Sequence, residues 1–152
     1  MGNNREDINN FLVKLFNNIL KIEENALKKG EFRDLSVREA HILEAIGQGS
    51  ETNKLMPTNI ARTLSITPGT LTVAMKALER KGYLDRNKSL ADGRVVEVKL
   101  TPKGVSANIW HAKFHASLVD AVVANLSGVE LEAFTDGLKK ITTYFDSVKT
   151  ID

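Results

Sequence analysis

The chain has 152 residues, of which 42% are hydrophobic and 26% are charged, and these values are typical of one soluble globular domain. It contains no cysteine, which excludes disulfides, cysteine-ligated zinc and a thiol nucleophile. The N-terminal sequence MGNNRED is too polar for a secretory signal, and no apolar run approaches membrane-spanning length. We therefore expect a cytoplasmic protein that does not contact a membrane.

The net charge of +2 is unevenly distributed along the chain. Residues 54–104 hold ten Lys or Arg against four Asp or Glu, a net of +6, whereas the segments on either side each come to −2. Cations that neutralise phosphates are useful where they are concentrated, so this pattern indicates a nucleic-acid-binding face in the middle of the chain. A merely solvated basic surface is the alternative, and charge alone does not distinguish the two.

The first third of the sequence predicts two helices. Apolar residues recur at intervals of three and four from Ile8 to Lys29, and Gly30 follows as a stop signal. The segment DLSVREAHILEAIG then begins with Ser36 and Glu39 spaced as a capping box, which predicts a second helix. Residues 47–55 are predicted to be a polar loop.

Two short proline-initiated segments follow and predict a helix-turn-helix. MPTNIARTLSI reads as a short helix with Pro57 at its first position, and Thr67 caps the next helix, with Pro68 first. In that second helix the apolar stripe consists of Leu71, Ala74, Met75 and Leu78. The residues predicted to project from the other side are Gly69, Thr72, Val73, Lys76 and Arg80. Gly82 is expected to end the helix.

A basic hairpin and two long helices complete the predicted elements. Tyr83 to Lys88 and Arg94 to Leu100 are strand-like, and the loop between them contains Asp-Gly. Thr101 and Pro102 should start a helix that runs to about Asn125, and Ser127 with Glu130 forms a capping box for a final helix. The helices at both ends carry more apolar surface than one flanking core could cover, which predicts a helical dimer interface.

These elements predict a mainly α fold with a small antiparallel β-hairpin as a wing, that is, a winged helix-turn-helix. We expect a single domain over residues 1–152, with a DNA-binding core at 36–100 and dimerisation helices from both termini, at 1–30 and 101–150. Such a protein should bind double-stranded DNA as a homodimer.

The order of elements and two motifs resemble the MarR family of bacterial transcription regulators over essentially the whole chain. TPGTLTVAMKALERKGYLDR matches the family's recognition helix with its Leu-Glu-x-x-Gly pattern, and DGRVVEVKLT matches the wing with Asp-x-Arg and a downstream Leu-Thr. The resemblance implies that Arg94 is the wing-tip arginine that enters the minor groove and that the Asp92 carboxylate orients it. The full set of predicted DNA-binding residues is Thr67, Gly69, Thr70, Thr72, Val73, Lys76, Arg80, Arg86, Lys88, Asp92 and Arg94.

Three further segments, FNNILKIEENAL, FRDLSVREAHILEAIG and HAKFH, are most similar to the branch of the family that represses fatty-acid-biosynthesis genes in Gram-positive bacteria. That resemblance implies acyl-acyl carrier protein as a co-repressor. No cofactor is required for such a repressor.

The three histidines suggest a metal site as an alternative. His111 and His115 are four residues apart on one helix, a spacing that can chelate a metal, and His41 with Glu24 could complete a tetrahedral zinc site. The same four residues resemble the ligand set of a zinc-sensing MarR branch. The other interpretation is a hydrogen-bonded polar cluster between the dimerisation helices and the DNA-binding core.

Enzymatic function is the competing class. The sequence contains no glycine-rich phosphate loop, nucleophile elbow or spaced carboxylate pair, and its histidines have no nucleophile in a recognisable motif. A small enzyme is therefore not expected, and a purely structural interaction module would not need the basic wing.

Overall fold

The computed structural model describes residues 4–49, 57–88 and 96–149. Over these residues the protein is mainly α with one two-stranded antiparallel sheet, in agreement with the predicted fold class. Contacts divide the chain into two compact units, the first ending at Ala112 and the second beginning at Lys113. In chain order the elements are α1 (Asn4–Lys29), α2 (Val37–Gly49), α3 (Pro57–Thr63), α4 (Pro68–Arg80), β1 (Leu84–Lys88), β2 (Val96–Leu100), α5 (Pro102–Ala124) and α6 (Gly128–Lys149).

The predicted helix caps are formed by side chains. The Ser36 amide donates to the Glu39 carboxylate at 2.8 Å, and the Glu39 amide donates back to the Ser36 hydroxyl at 3.2 Å, so α2 begins with a complete capping box. Ser127 and Glu130 repeat this arrangement at the start of α6. Each cap supplies acceptors for amide groups that would otherwise have no partner in the first turn.

The C-terminus of α4 sets the direction in which the chain enters the hairpin. Gly82 has a φ of 80°, a conformation that glycine adopts without a steric penalty. Its amide donates to the Glu79 carbonyl and the Tyr83 amide donates to the Leu78 carbonyl, each at 2.9 Å, which is the Schellman arrangement. Leu78 and Tyr83 are both fully buried beneath it, so α4 and β1 share one apolar core.

The core of the first unit contains side chains from α1 to α5 and from β1, together with residues of the segments that join α1 to α2 and α4 to β1. Its side chains are Leu27, Phe32, Leu35, Ala40, Ile42, Leu43, Ile46, Ile60, Ala61, Leu71, Met75, Leu78, Tyr83, Leu84 and Ala107. The predicted inward residues of α4 are therefore inside, with Ala74 partly buried against them.

The hairpin pairs β1 and β2 antiparallel, with Leu84 opposite Leu100 and Lys88 opposite Val96. Asp85 lies opposite Lys99, a cross-strand pair of opposite charge that favours this register. β1 begins one residue later than predicted and β2 ends at Leu100 as predicted, while the predicted loop, Arg94 and Val95 lie outside the described residues.

The second unit contains the C-terminal part of α5 and the whole of α6. Taken alone, α6 exposes the apolar stripe that its sequence predicted, with Phe134 36%, Leu138 44%, Ile141 47% and Phe145 50% accessible. Among the described residues, no helix combines the length and the apolarity needed to cross a bilayer.

One predicted boundary is wrong: α2 continues to Gly49, whereas the sequence placed a loop from residue 47 onwards. Gly47 was interpreted as a helix end, but it lies inside the helix facing Asn108. A Cβ at Gly47 would lie 2.3 Å from the Asn108 side-chain nitrogen. The glycine therefore permits close packing and does not terminate α2.

Gly104 is the tightest close approach in the first unit. It is buried in the first turn of α5, and a Cβ placed there would lie 2.1 Å from the carbonyl oxygen of Tyr83. The same carbonyl accepts the Thr101 amide at 3.1 Å, so neither backbone segment can move without losing this hydrogen bond.

We predict that Gly104→Ala lowers the free energy of unfolding by about 3 kcal/mol, because overpacking against backbone cannot be relieved by a side-chain rotation. Chemical denaturation measures this change. The matched control is Gly137→Ala in α6, where an added Cβ meets no atom within 4 Å; it should leave stability unchanged or raise it by up to about 1 kcal/mol. Equal stability of wild type and Gly104→Ala would contradict the close packing described here.

Candidate nucleic-acid interface and histidine cluster

The α3–α4 segment forms a compact helix-turn-helix. Ser65 occupies the turn with a positive φ of 51°, and the Ile66 amide donates to the Ala61 carbonyl at 3.0 Å. Thr67 then caps α4, its hydroxyl oxygen accepting the Thr70 amide at 3.1 Å. The predicted cap and the predicted first residue of α4, Pro68, are confirmed, and Pro57 lies in α3.

The outward face of α4 is exposed and carries few charges. Gly69, Thr72, Lys76 and Arg80 are all exposed, and the Val73 side chain is 70% accessible at the centre of this face. An apolar side chain held out of the core in this way can contact the methyl group of thymine in a major groove. Lys76 and Arg80 supply the cations for phosphates.

The threonine hydroxyls on α4 are already oriented by intrahelical bonds. Thr72 donates its proton to the Pro68 carbonyl at 2.8 Å, and the Thr67 and Thr70 hydroxyl oxygens lie 2.9 Å apart. Thr72 therefore presents acceptor lone pairs and a methyl group to the outside. These groups suit a base edge that donates a hydrogen bond, or a thymine methyl.

The residues of the hairpin that were predicted to bind DNA have different environments, and two of them lie outside the described residues. The Arg86 side chain is only 25% exposed and its Nη1 lies 3.7 Å from the Glu79 carboxylate, so it helps to join β1 to α4. Lys88 is the last residue of β1. Asp92 and Arg94 lie outside the described residues, and their roles at the wing stay predictions.

A buried cluster of acid and histidine side chains joins three helices of the first unit. The Glu23 carboxylate of α1 lies 2.6 Å from Nε2 of His111 on α5 and 3.2 Å from Nε2 of His41 on α2. Nδ1 of His111 lies 3.3 Å from the Glu44 carboxylate. Glu23 and His111 are both only 1% accessible. One carboxylate therefore holds two imidazoles, whose ring centroids are 5.1 Å apart.

This arrangement corrects one predicted ligand. Glu24 is the predicted ligand, but Glu24 is exposed and its carboxylate pairs with Lys28 at 2.7 Å. That hydrogen bond and the Lys28 charge lower the pKa of the Glu24 carboxyl. Glu23 occupies the inward position because it lies one turn before the buried Leu27, a spacing that the sequence already contained.

Glu23, His41 and His111 each offer one ligand atom, and these atoms lie within 4.8 Å of one another. Carboxylate oxygen and imidazole nitrogen are ligands that zinc accepts in a tetrahedral site. His115, the fourth predicted ligand, follows His111 by one helical turn on α5. The same geometry also satisfies the interpretation as a hydrogen-bonded polar cluster.

Comparison with known families gives a match over residues 25–108 to the family described as Transcriptional regulator SarA/Rot. The chain is 30% identical over 117 residues to the transcriptional regulator ZitR of Lactococcus lactis, covering 76% of this chain and 74% of ZitR. It is 29% identical over 82 residues to the HTH-type transcriptional repressor YetL of Bacillus subtilis, covering 54% of this chain. That second match spans about half, 49%, of YetL.

Solved structures agree with these sequence matches. Streptococcus pneumoniae FabT in complex with DNA superposes with a TM-score of 0.86 and 32% identity, covering 95% of this chain and 99% of FabT. The DNA complex of Staphylococcus aureus MepR superposes with a TM-score of 0.72 at 20% identity, covering 89% of this chain and 94% of MepR; at this identity the likeness concerns the fold alone. The predicted winged-helix fold of MarR type is confirmed.

Proposed function

Since the chain belongs to the SarA/Rot family of transcriptional regulators, which bind DNA and are not enzymes, we propose that it is a homodimeric repressor of a pseudo-palindromic operator. The observation that carries this proposal is the orientation of α4. Its apolar stripe is buried and its opposite face, with Val73 and Lys76 at the centre, is exposed at the position of a recognition helix. A DNA-bound relative that matches over nearly the whole chain supports this use of the helix.

We assign the direct reading of bases to the outward face of α4 and the phosphate contacts to its cations and to the hairpin. Thr70, Thr72 and Val73 suit the base edges, whereas Lys76 and Arg80 suit phosphates. At the wing, the resemblance to MarR regulators gives Arg94 the minor-groove contact and Asp92 the role of orienting it. A minor-groove arginine responds to groove width, so flanking A/T-rich sequence should strengthen binding.

We infer the homodimer from exposed apolar side chains on the helices at both ends of the chain. The N-terminal part of α1 exposes Ile8, Phe11, Leu12, Leu15 and Phe16, each at least 40% accessible. The second unit adds the exposed stripe of α6. A second copy of the chain would remove both surfaces from water, and a two-fold axis would place two recognition helices about 34 Å apart, one turn of DNA. Such a regulator acts on DNA in the cytoplasm, where we place it.

We further propose that the regulated genes serve fatty acid biosynthesis and that long-chain acyl-acyl carrier protein is the co-repressor. The support is the resemblance of the α1, α2 and α5 segments to the fatty-acid branch of the family. A co-repressor must bind the DNA-competent conformation more tightly than the alternative conformation. Acyl-acyl carrier protein would therefore favour one spacing of the two recognition helices.

Zinc is a second candidate effector, favoured by the geometry of Glu23, His41 and His111. A metal at these side chains would link α1, α2 and α5, and of these helices α2 packs against α4. It would require neutral imidazoles, since a protonated ring has no free lone pair for a metal.

We expect long-chain acyl-acyl carrier protein to tighten DNA binding by about tenfold, within the usual range of allosteric coupling. The measurement is a fluorescence anisotropy titration on a duplex that the wild-type protein selects from a random pool. Unacylated carrier protein is the matched control and should have no effect. Equal responses to the acylated and unacylated carriers would remove the fatty-acid proposal.

If zinc is the effector, the dialysed protein should retain it and DNA binding should respond to added zinc and to chelator. Glu23→Gln and His111→Ala should abolish both effects, whereas the neighbouring variant Glu24→Gln should preserve them, because Glu24 is directed away from the cluster. Metal analysis and DNA titration measure this. A protein that retains no zinc, and whose DNA binding ignores zinc and chelator, has a hydrogen-bonded cluster at this position.

A further inference from the structure

Lys81, at the C-terminus of α4, lies in the basic segment that the charge pattern predicts to face DNA. Its side chain turns away from the outward face of α4 towards the start of α2. The Lys81 ammonium donates to both oxygens of the Glu39 carboxylate at 2.8 Å and to the carbonyl oxygen of Asp34 at 2.5 Å. A lysine ammonium has three protons, and here each has an acceptor within the protein.

The contact between Lys81 and Glu39 differs from a surface ion pair because the Glu39 side chain is largely buried and has further hydrogen-bond partners. Its side chain is only 10% exposed, and the same carboxylate accepts the amide and the hydroxyl of Ser36 in the capping box of α2. One carboxylate therefore accepts hydrogen bonds both from the start of α2 and from Lys81 at the end of α4. Charge-assisted hydrogen bonds of this kind fix geometry more firmly than neutral bonds do.

A second set of contacts holds the same end of α4 against the start of α5. Lys103 donates to the Lys81 carbonyl at 3.0 Å and lies 4.0 Å from the centroid of the Tyr83 ring. The Tyr83 hydroxyl donates to the Asp34 carboxylate at 2.6 Å. Partial burial acts to raise the pKa of Asp34, but the Tyr83 bond and the charges of Lys103 and Lys81 hold it below its usual value. Asp34 therefore remains ionised within this network.

We propose that Lys81 is a positioning residue for DNA recognition: through Glu39 it fixes the angle of α4 against α2, and it makes no phosphate contact of its own. This inference rests on the proposed role of α4 as the recognition helix. Base recognition requires side chains to be held within about 0.5 Å and 10–20° of the productive geometry. Thr72, Val73 and Lys76 all lie N-terminal to this anchor on the same helix, so a change of helix angle would displace each of them.

The test exploits the salt dependence of DNA binding, because each phosphate contact adds about 0.9 to the slope of log affinity against log salt. Lys81→Met keeps the length of the side chain and removes the charge. It should weaken binding to the selected duplex roughly tenfold, on the scale of one lost base contact, while leaving the slope equal to that of the wild type. The control Lys76→Met should reduce the slope by about 0.9, as expected for a phosphate contact.

Glu39→Gln is an independent variant that distinguishes positioning of α4 by Lys81 from a simple effect of charge. The two explanations predict opposite changes in DNA affinity. Glutamine preserves the capping box but not the ion pair, so positioning predicts weaker DNA binding. If charge alone mattered, removal of a negative group beside DNA would strengthen binding. Thermal unfolding of each variant checks the fold, and Glu39→Gln decides the question if Lys81→Met does not fold.

A slope reduced by about one in Lys81→Met would identify a phosphate contact and overturn the inference, as would unchanged affinity of that variant. Equal or tighter binding by Glu39→Gln would overturn it as well. An unchanged salt slope in Lys76→Met would have a different meaning. It would contradict the proposal that α4 is the recognition helix, and the inference about Lys81 rests on that proposal.

Discussion

The burial of the apolar stripe of α4 determines which face of this helix is exposed, and the proposed DNA recognition depends on that face. Leu71, Met75 and Leu78 are at most 3% accessible, and burying side chains of this size stabilises the fold by about 2 kcal/mol each. Any rotation of α4 about its axis would expose these residues. The orientation of the opposite face is therefore a consequence of core packing, and the Thr67 cap and the Schellman turn at Gly82 fix the ends of the helix in that orientation.

The parts of the fold that depend on neighbours close in sequence could be predicted. Both capping boxes, the Thr67 cap and the outward side of α4 follow from spacings of three or four residues, and the start of α4 follows from Pro68 at its first position. These signals work because a helix places such residues on one face or within one turn. The fold class followed from the order of those elements, and the family comparisons agree with it.

The errors concern contacts between residues that are distant in sequence. Gly47 resembles a helix end locally, and only the approach of Asn108 shows that it is needed for packing within α2. Glu23 and Glu24 are adjacent acidic residues, and choosing between them requires the face of α1 that contacts α2 and α5. The contacts of Lys81 could likewise not be predicted from neighbouring residues, because its partners Asp34 and Glu39 lie more than 40 residues earlier in the chain.

The exposed face of α4 and the exposed apolar stripes of the terminal helices suit different partners. The face of α4 combines hydrogen-bonding groups, an isolated valine and cations, which matches the edges and phosphates of a DNA groove. Taken separately, α1 and α6 each expose apolar side chains, as expected for an interface between identical chains. Within the first unit, Glu23, His41 and His111 couple α1 to α2 and α5.

Hydroxyl-radical footprinting on the duplex selected by the wild-type protein shows directly whether two α4 helices read a two-fold DNA site. A two-fold homodimer should give two symmetric protected regions separated by about one helical turn, roughly 10 base pairs, because each copy of α4 would occupy one major groove. Protection should extend into the minor groove on the outer flanks, where the wings are proposed to lie. A single protected region without two-fold symmetry would contradict a homodimer that reads DNA through paired α4 helices.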